Sequence, residues 1–242
     1  MFDLARAALL VVTHNRPELL RHTLGCWRGT GGRFRRTVIV QNHGKGLDDV
    51  EIAGDTIIVQ SGQHLGNPGN MSRSWNLGWQ WAFNDLDVQW IMCSQDDVDV
   101  KGDWLGKVAS RDADFYNAPG GDVVMLLSRR AARAVGWFDE RFVVTGYHEW
   151  DWIARAVRAL GTDRMVCEDR HGWAFNVVGL SECWDHHGEV DRQSRSAYYR
   201  LNDQWILRKW GTTAGGLAGL IASGFVPEPL EPEIDWYPWY TM

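Results

Sequence analysis

The chain has 242 residues, enough for one substantial core, and length alone permits one or two domains. Its 45% hydrophobic and 23% charged residues are ordinary for a soluble globular protein. A net charge of −6 argues against a broad basic face for gripping phosphate backbones.

The first residues, Met1 to Arg6, lack a signal peptide's apolar region and lead straight into a strand. Ala7 to Thr13 is an unbroken apolar run ending in polar residues, the pattern of a parallel strand buried on both faces. Pro17 suits the first turn of a helix over 16–27, where a missing N–H costs nothing. Arg28, Arg33, Arg35 and Arg36 then crowd one stretch, read as solvated surface. Thr37–Gln41 and Thr56–Gln60 are the next strands, separated by the turn-forming 42–46. After a loop over 65–70, Met71, Trp75, Trp79 and Ala82 share one helical face. Gly78 in that helix costs about 1 kcal/mol against Ala, so close packing or a ligand is expected there. Strands are predicted over 88–94 and 122–127. A helix over 146–160 carries Ile153, Ala156, Val157 and Leu160 and stops at Gly161. A short strand over 164–167 precedes a helix over 194–210 with Tyr198, Leu201 and Trp205 facing inward. Residues 215–225 are too few for the ~20 that span a bilayer, so a buried helix or loop is expected and no transmembrane segment. Alternating strands and helices predict a three-layer α/β/α fold with a mostly parallel sheet. Residues 1–212 are read as the domain and 213–242 as an extension packed on it.

The fifteen tryptophans are read chiefly as core filling, with stacking on sugars or bases as the alternative. Cys26, Cys93, Cys167 and Cys183 form no Cys-x-x-Cys pair, which argues against a zinc knuckle or thioredoxin-like site and for a reducing, cytoplasmic setting.

In open α/β sheets ligands bind beyond the C-terminal strand ends. Thr13, Asn42 and the run Gln95-Asp96-Asp97-Val98-Asp99 all fall at such ends, so they converge on one crevice. Three aspartates in four positions repel one another unless a cation sits among them, and Mg²⁺ or Mn²⁺ takes carboxylate oxygens while bridging phosphates.

Five segments in order resemble the GT-A type inverting glycosyltransferases, specifically glycosyltransferase family 2 with its bacterial rhamnosyl and polysaccharide transferases. They are Thr13-His14-Asn15-Arg16-Pro17; Leu65-Gly66-Asn67-Pro68-Gly69-Asn70 with Asn76-Leu77-Gly78; Gln95-Asp96-Asp97-Val98; Gly136 to Phe142; and His148-Glu149-Trp150-Asp151. The likeness spans roughly residues 5–190. It implies a Rossmann-like GT-A fold and transfer from a UDP-, dTDP- or GDP-sugar with Mn²⁺ or Mg²⁺. Thr13, Asn15, Arg16, Asn42, Asn67, Asn70, Asn76 and Asp96 are the implied donor contacts. Gln95 replaces the first aspartate of the metal motif, which leaves Asp97 as the main ligand, with Asp99 and His186 or His187 beside it. The usual Glu-Asp pair reads His148-Glu149, so Glu149 is the expected general base, and Asp151 orients the acceptor or pins the helix. The acceptor is a glycan, a lipid-linked glycan, a protein or a modified nucleobase. A catalytically inactive nucleotide-sugar or glycan-binding module is the second reading. A nucleotidyltransferase ranks third, because the first-strand loop lacks a basic, Gly-rich phosphate cradle.

Overall fold

A computed structural model describes residues 1–14, 16–42, 47, 50, 56–60, 70–100, 102–118, 123–143, 146–168, 174–178, 180, 183–185 and 192–231. In chain order the elements are β1 (Ala7–Thr13), α1 (Pro17–Gly29), β2 (Arg36–Gln41), β3 (Thr56–Gln60), α2 (Met71–Phe83), β4 (Trp90–Gln95), β5 (Val98–Val100), α3 (Trp104–Ala109), β6 (Phe115–Asn117) and β7 (Val124–Ser128). Then follow α4 (Arg129–Val135), α5 (His148–Leu160), β8 (Met165–Glu168), β9 (Ala174–Phe175), β10 (Cys183–Asp185), α6 (Arg192–Trp210) and α7 (Ala214–Ser223).

The main sheet has the order β3-β2-β1-β4-β7-β6-β8-β9. Strands β3, β2, β1 and β4 are mutually parallel, β7 runs antiparallel between β4 and β6, and β6 pairs parallel with β8. Period-2 alternation divides β1 between two cores. Ala8, Leu10 and Val12 join α2, α4, α5, α6 and α7 on one face. Ala7, Leu9 and Val11 join α1 and α3 on the other. Both faces of the strand are therefore covered by helices, and the expected three-layer α/β/α fold with a mostly parallel sheet is the one observed.

Gly78 marks a close crossing of α2 over β1. A Cβ there would stand 2.3 Å from Leu10 Cδ1 and 2.5 Å from Cδ2, in a core where Leu10 is fully buried. Packing thus accounts for the glycine. Gly78→Ala should lose about 1–3 kcal/mol to overpacking and recover only about 1 kcal/mol of helix propensity. A urea midpoint below wild type is the expected result, and an unchanged or raised midpoint would show that Leu10 can move.

The sequence reading of α6 holds at Trp205, which packs against the core, and fails at Leu201. Leu201 is 54% exposed, and Leu207 is exposed as well, while the inward face is Asn202, Ile206, Lys209 and Trp210. Two buried polar residues on that face hid it from a hydrophobic count. Residues 215–225 form most of α7 and the turn after it, and Leu217 and Ile221 join the core beneath α5 and α6. Among the described residues no helix is long and apolar enough to cross a membrane.

Candidate functional site

The site begins where β1, β2 and β4 end side by side. Thr13 pairs with Gln41, Val12 pairs with Gln95, and the Asn42 N–H donates to the Thr13 carbonyl at 2.9 Å. The turn after β4 brings Asp96 and Asp97 against the loop after β1. The Thr13 hydroxyl donates to Asp96 Oδ2 at 2.6 Å, and the His14 N–H reaches the same oxygen at 3.3 Å. Arg16 Nη1 lies 3.3 Å from Asp97 Oδ2. Burial raises Asp96 to about 6, the Thr13 hydrogen bond works against it, and neighbouring Asp97 adds to it. A second cation at this turn would relieve that mutual repulsion, and Asp97, with its carboxylate beside the half-exposed Arg16, is the carboxylate placed to receive it.

Asp99 takes a different direction. Its carboxylate meets His22 and Cys26 on α1, whereas Asp97 meets Arg16. Residues 16 and 22 are about 9 Å apart along a helix axis at ~1.5 Å per residue, so the two aspartates are engaged at separate points. The contacts of Asp99 belong to a second cluster and not to the Asp97 turn.

Three asparagines expected at the donor have protein partners. Asn42 exchanges hydrogen bonds with Ser74 at 2.8 and 3.1 Å and so ties the end of β2 to α2. Asn70 caps α2, accepting from the Arg73 N–H at 2.9 Å, and donates to the Glu140 carbonyl at 2.9 Å. Asn76 is fully buried; it donates to the Phe138 carbonyl and to Glu140 Oε1 and accepts from the Phe138 N–H. The structure therefore redirects Asn76 from donor contact to anchoring. Both donor hydrogens of its amide go to residues 138–140, because a buried amide must be satisfied. These bonds tie Phe138 and Glu140 to the N-terminal half of α2, the same stretch that Asn42 reaches through Ser74.

That segment leads to α5. Tyr147 has φ +65°, a left-handed conformation unusual for a bulky residue, and Gly146 before it has φ +90°. The Tyr147 ring packs edge-on against Trp150 and Tyr199 at 5.0 and 5.6 Å, which holds the strained turn. Asn202 of α6 clamps the approach, accepting from the Val143 N–H and donating to the Val143 and Gly146 carbonyls. Glu149 then sits in the first turn of α5 with Oε2 3.3 Å from His148 Nδ1. The helix dipole there favours its negative charge.

Asp151, expected to orient the acceptor or pin the helix, pins it. It is 0% exposed, bonded to Arg155 Nε at 3.0 Å, Trp210 Nε1 at 2.9 Å and Lys209 Nζ at 2.7 Å. Lys209, also 0% exposed, reaches Asp139 Oδ2 at 2.9 Å. With both oxygens filled and no route to solvent, Asp151 is placed for holding α5 to α6 and not for proton transfer. Asn202 and Lys209 are the residues that sequence reasoning missed. Their signal was present as polar residues at helical spacing with Ile206, on the face that turns inward.

Asn15, Asn67, His186 and His187 lie outside the described residues. The strand leading to the two histidines is described: β10 pairs antiparallel with β5, and Asp185 stands opposite Val98, the residue after Asp97.

No protein-family model matches the sequence, and no curated protein matches it. Solved structures do. Glucosyl-3-phosphoglycerate synthase from Mycobacterium tuberculosis, in complex with Mn²⁺, uridine diphosphate and phosphoglyceric acid, matches with a TM-score of 0.57 at 8% identity, over 83% of this chain and 77% of that one. The same synthase with Mg²⁺ and uridine diphosphate matches with a TM-score of 0.55, again at 8% identity, over 83% of this chain and 78% of that one. S. aureus TarS, residues 1–349, matches with a TM-score of 0.55 at 10% identity, over 91% of this chain and 70% of that one. At such identities the shared property is the fold, which is of the GT-A type.

Proposed function

We propose that the chain is a metal-dependent inverting glycosyltransferase that moves a hexosyl or deoxyhexosyl group from a nucleoside-diphosphate sugar to an acceptor hydroxyl. The observation that carries this reading is the Asp96–Asp97 turn at the end of β4, facing the loop after β1 in a sheet of this type. The M. tuberculosis synthase is seen with UDP-glucose as well as uridine diphosphate, so a UDP-sugar is the first donor to try, with dTDP- and GDP-sugars next. The domain is read as residues 1–212 with 213–242 as an extension on it, and the burial of Leu217 and Ile221 supports that packing.

Asp97 would hold Mn²⁺ or Mg²⁺, joined by His186 or His187, since the strand before them ends opposite Val98. Bound there, the cation supplies positive charge for the departing diphosphate. Arg16 is 38% exposed and can exchange Asp97 for a phosphate oxygen when the donor arrives. Thr13 and Asp96 form a buried, hydrogen-bonded floor beneath it. In this reading Glu149 accepts the proton of the attacking hydroxyl, and the departing nucleotide leaves from the opposite face of the sugar. Glycans, lipid-linked glycans, proteins and modified nucleobases remain the acceptor classes to screen.

Calorimetry of UDP-glucose with and without Mn²⁺ tests the metal assignment. Metal-dependent binding is expected in the wild type and should weaken ~10-fold or more in Asp97→Asn, by analogy with the loss of groups that support metal ligands. Undiminished metal-dependent binding in the variant would remove Asp97 from the site. Gln95, standing where the family's metal motif has an acid, favours a second reading as a binding module without turnover. Donor binding with no hydrolysis that EDTA can stop would select it.

A further inference from the structure

A second group of metal-ligating side chains lies on the outer side of β5. His22 and Cys26, one helical turn apart on α1, converge with Asp99. His22 Nε2 is 2.8 Å from Asp99 Oδ1, Cys26 Sγ is 3.5 Å from His22 Nε2, and Cys26 Sγ is 3.4 Å from Asp99 Oδ1. We propose that His22, Cys26 and Asp99 form a binding site for a borderline-soft divalent cation, Zn²⁺ first, distinct from the hard-cation site proposed at Asp97.

The geometry favours a chelate over a catalytic relay. In a Cys-His-Asp relay the imidazole uses one nitrogen for the thiol and the other for the carboxylate. Here the same nitrogen, Nε2, faces both, so the three ligand atoms surround one point. Around tetrahedral zinc, with Zn–S ≈ 2.3 Å and Zn–N and Zn–O ≈ 2.0 Å, ligand atoms stand roughly 3.5 Å apart at sulfur-containing edges and about 3.3 Å apart at the N–O edge. The two sulfur edges already have those lengths, and the N–O edge needs to open by about half an ångström, within the reach of a side-chain rotation. His22 Nε2, a thiolate and one carboxylate oxygen make three protein ligands, and solvent can fill a fourth position because the His22 side chain is 48% exposed. Imidazole and thiolate select zinc over magnesium or manganese. Binding moves the Cys26 thiol proton to solvent as the sulfur–metal bond forms.

The backbone under the ligands is fixed. Thr23, buried between His22 and Cys26, accepts from the Val98 N–H at 2.9 Å and donates to the Val98 carbonyl at 3.1 Å. On its other edge β5 pairs with β10, with Trp184 opposite Asp99. A cation here would brace α1 against β5, two residues beyond Asp97.

The test uses the full chain carrying Asp97→Asn, which disables the other proposed site, and titrates Zn²⁺ and Co²⁺ without nucleotide. One equivalent of Zn²⁺ should bind and raise the melting temperature. Co²⁺ should give a near-ultraviolet thiolate-to-metal charge-transfer band. Cys26→Ser should abolish the band, and His22→Ala should weaken Zn²⁺ at least tenfold; both positions reach the surface, and circular dichroism confirms that the variants fold. A missing band in the parent, or Zn²⁺ binding unchanged in both variants, would overturn the site. Neither result bears on sugar transfer, because Asp97 is already disabled throughout.

Discussion

Glu149→Gln should lower sugar transfer by ~100- to 10,000-fold, the usual contribution of a positioned general base, while donor binding stays close to wild type. The amide keeps the size and the hydrogen-bonding reach of the acid but cannot take a proton. Glu149 is buried, with Oε2 3.3 Å from His148 Nδ1, so a melting curve of the variant accompanies the kinetics to separate loss of the base from loss of the fold. The Tyr147 turn that presents Glu149 is held by ring packing and by Asn202, neither of which involves the Glu149 carboxylate. Turnover with a UDP-sugar and calorimetry with uridine diphosphate, run on the same preparation, separate the outcomes. Near-complete loss of turnover with intact binding supports the base. Retained turnover means another group takes the proton, and Asp151 is not available for it, since it is buried and paired on both oxygens. Lost binding would assign Glu149 to the nucleotide.

The parts of this structure that are legible in the sequence are those with a long period. β1 is read to the residue because its first six positions are apolar without a break before Thr13, and a strand covered on both faces needs that. α2 is read because its tryptophans repeat at helical spacing, and α5 because Gly161 stops it in a positive-φ conformation. The strands β5 and β6, three residues each, and the six-residue α3 carry too few positions to show any period. α4 follows β7 without a loop, since Ser128 both ends the strand and caps the helix, so no turn-forming stretch marks the change of element. The direction of β7 is not legible either, since antiparallel insertion depends on its neighbours and not on its own residues. In the site, residue type marked Asp96, Asp97 and Glu149 as candidates but did not distinguish ligand contact from anchoring elsewhere. Asn76 and Asp151 look like site residues in one dimension; their neighbours in space, Phe138 with Glu140 and Lys209 with Arg155, consume their polar atoms.

Asp151→Asn should cost about 3–5 kcal/mol of stability, the penalty for breaking a buried ion network on one side. Asp139 and Asp151 are the two anions among Arg141, Lys209 and Arg155. Removing the Asp151 charge leaves Lys209 and Arg155, both buried, with Asp139 as the remaining carboxylate of the set. Lys209→Met is expected to be milder, because two anions and two arginines then balance and the methionine stem fills much of the lysine's volume. In the double variant Lys209→Met/Asp151→Asn part of the loss should be recovered, with a coupling of roughly 0.5–3 kcal/mol between the sites. Chemical denaturation of the four proteins at neutral pH measures it, and purely additive losses would show that Lys209 and Asp151 do not act as a pair. The same network sets an acid limit. Burial works to raise Asp139, but the Arg141 hydrogen bond and Lys209 outweigh it and hold the carboxyl well below its ordinary 3.8. A depressed folded-state value means that this stabilisation is fully present above about pH 4 and drains as the pH falls further, when the unfolded chain binds the proton first. Wild type should therefore lose stability steeply below pH 4, and Asp139→Asn, less stable at neutral pH, should show a flatter profile there. Parallel acid profiles for the two proteins would take Asp139 out of the network that fixes α6 beneath the Glu149 helix.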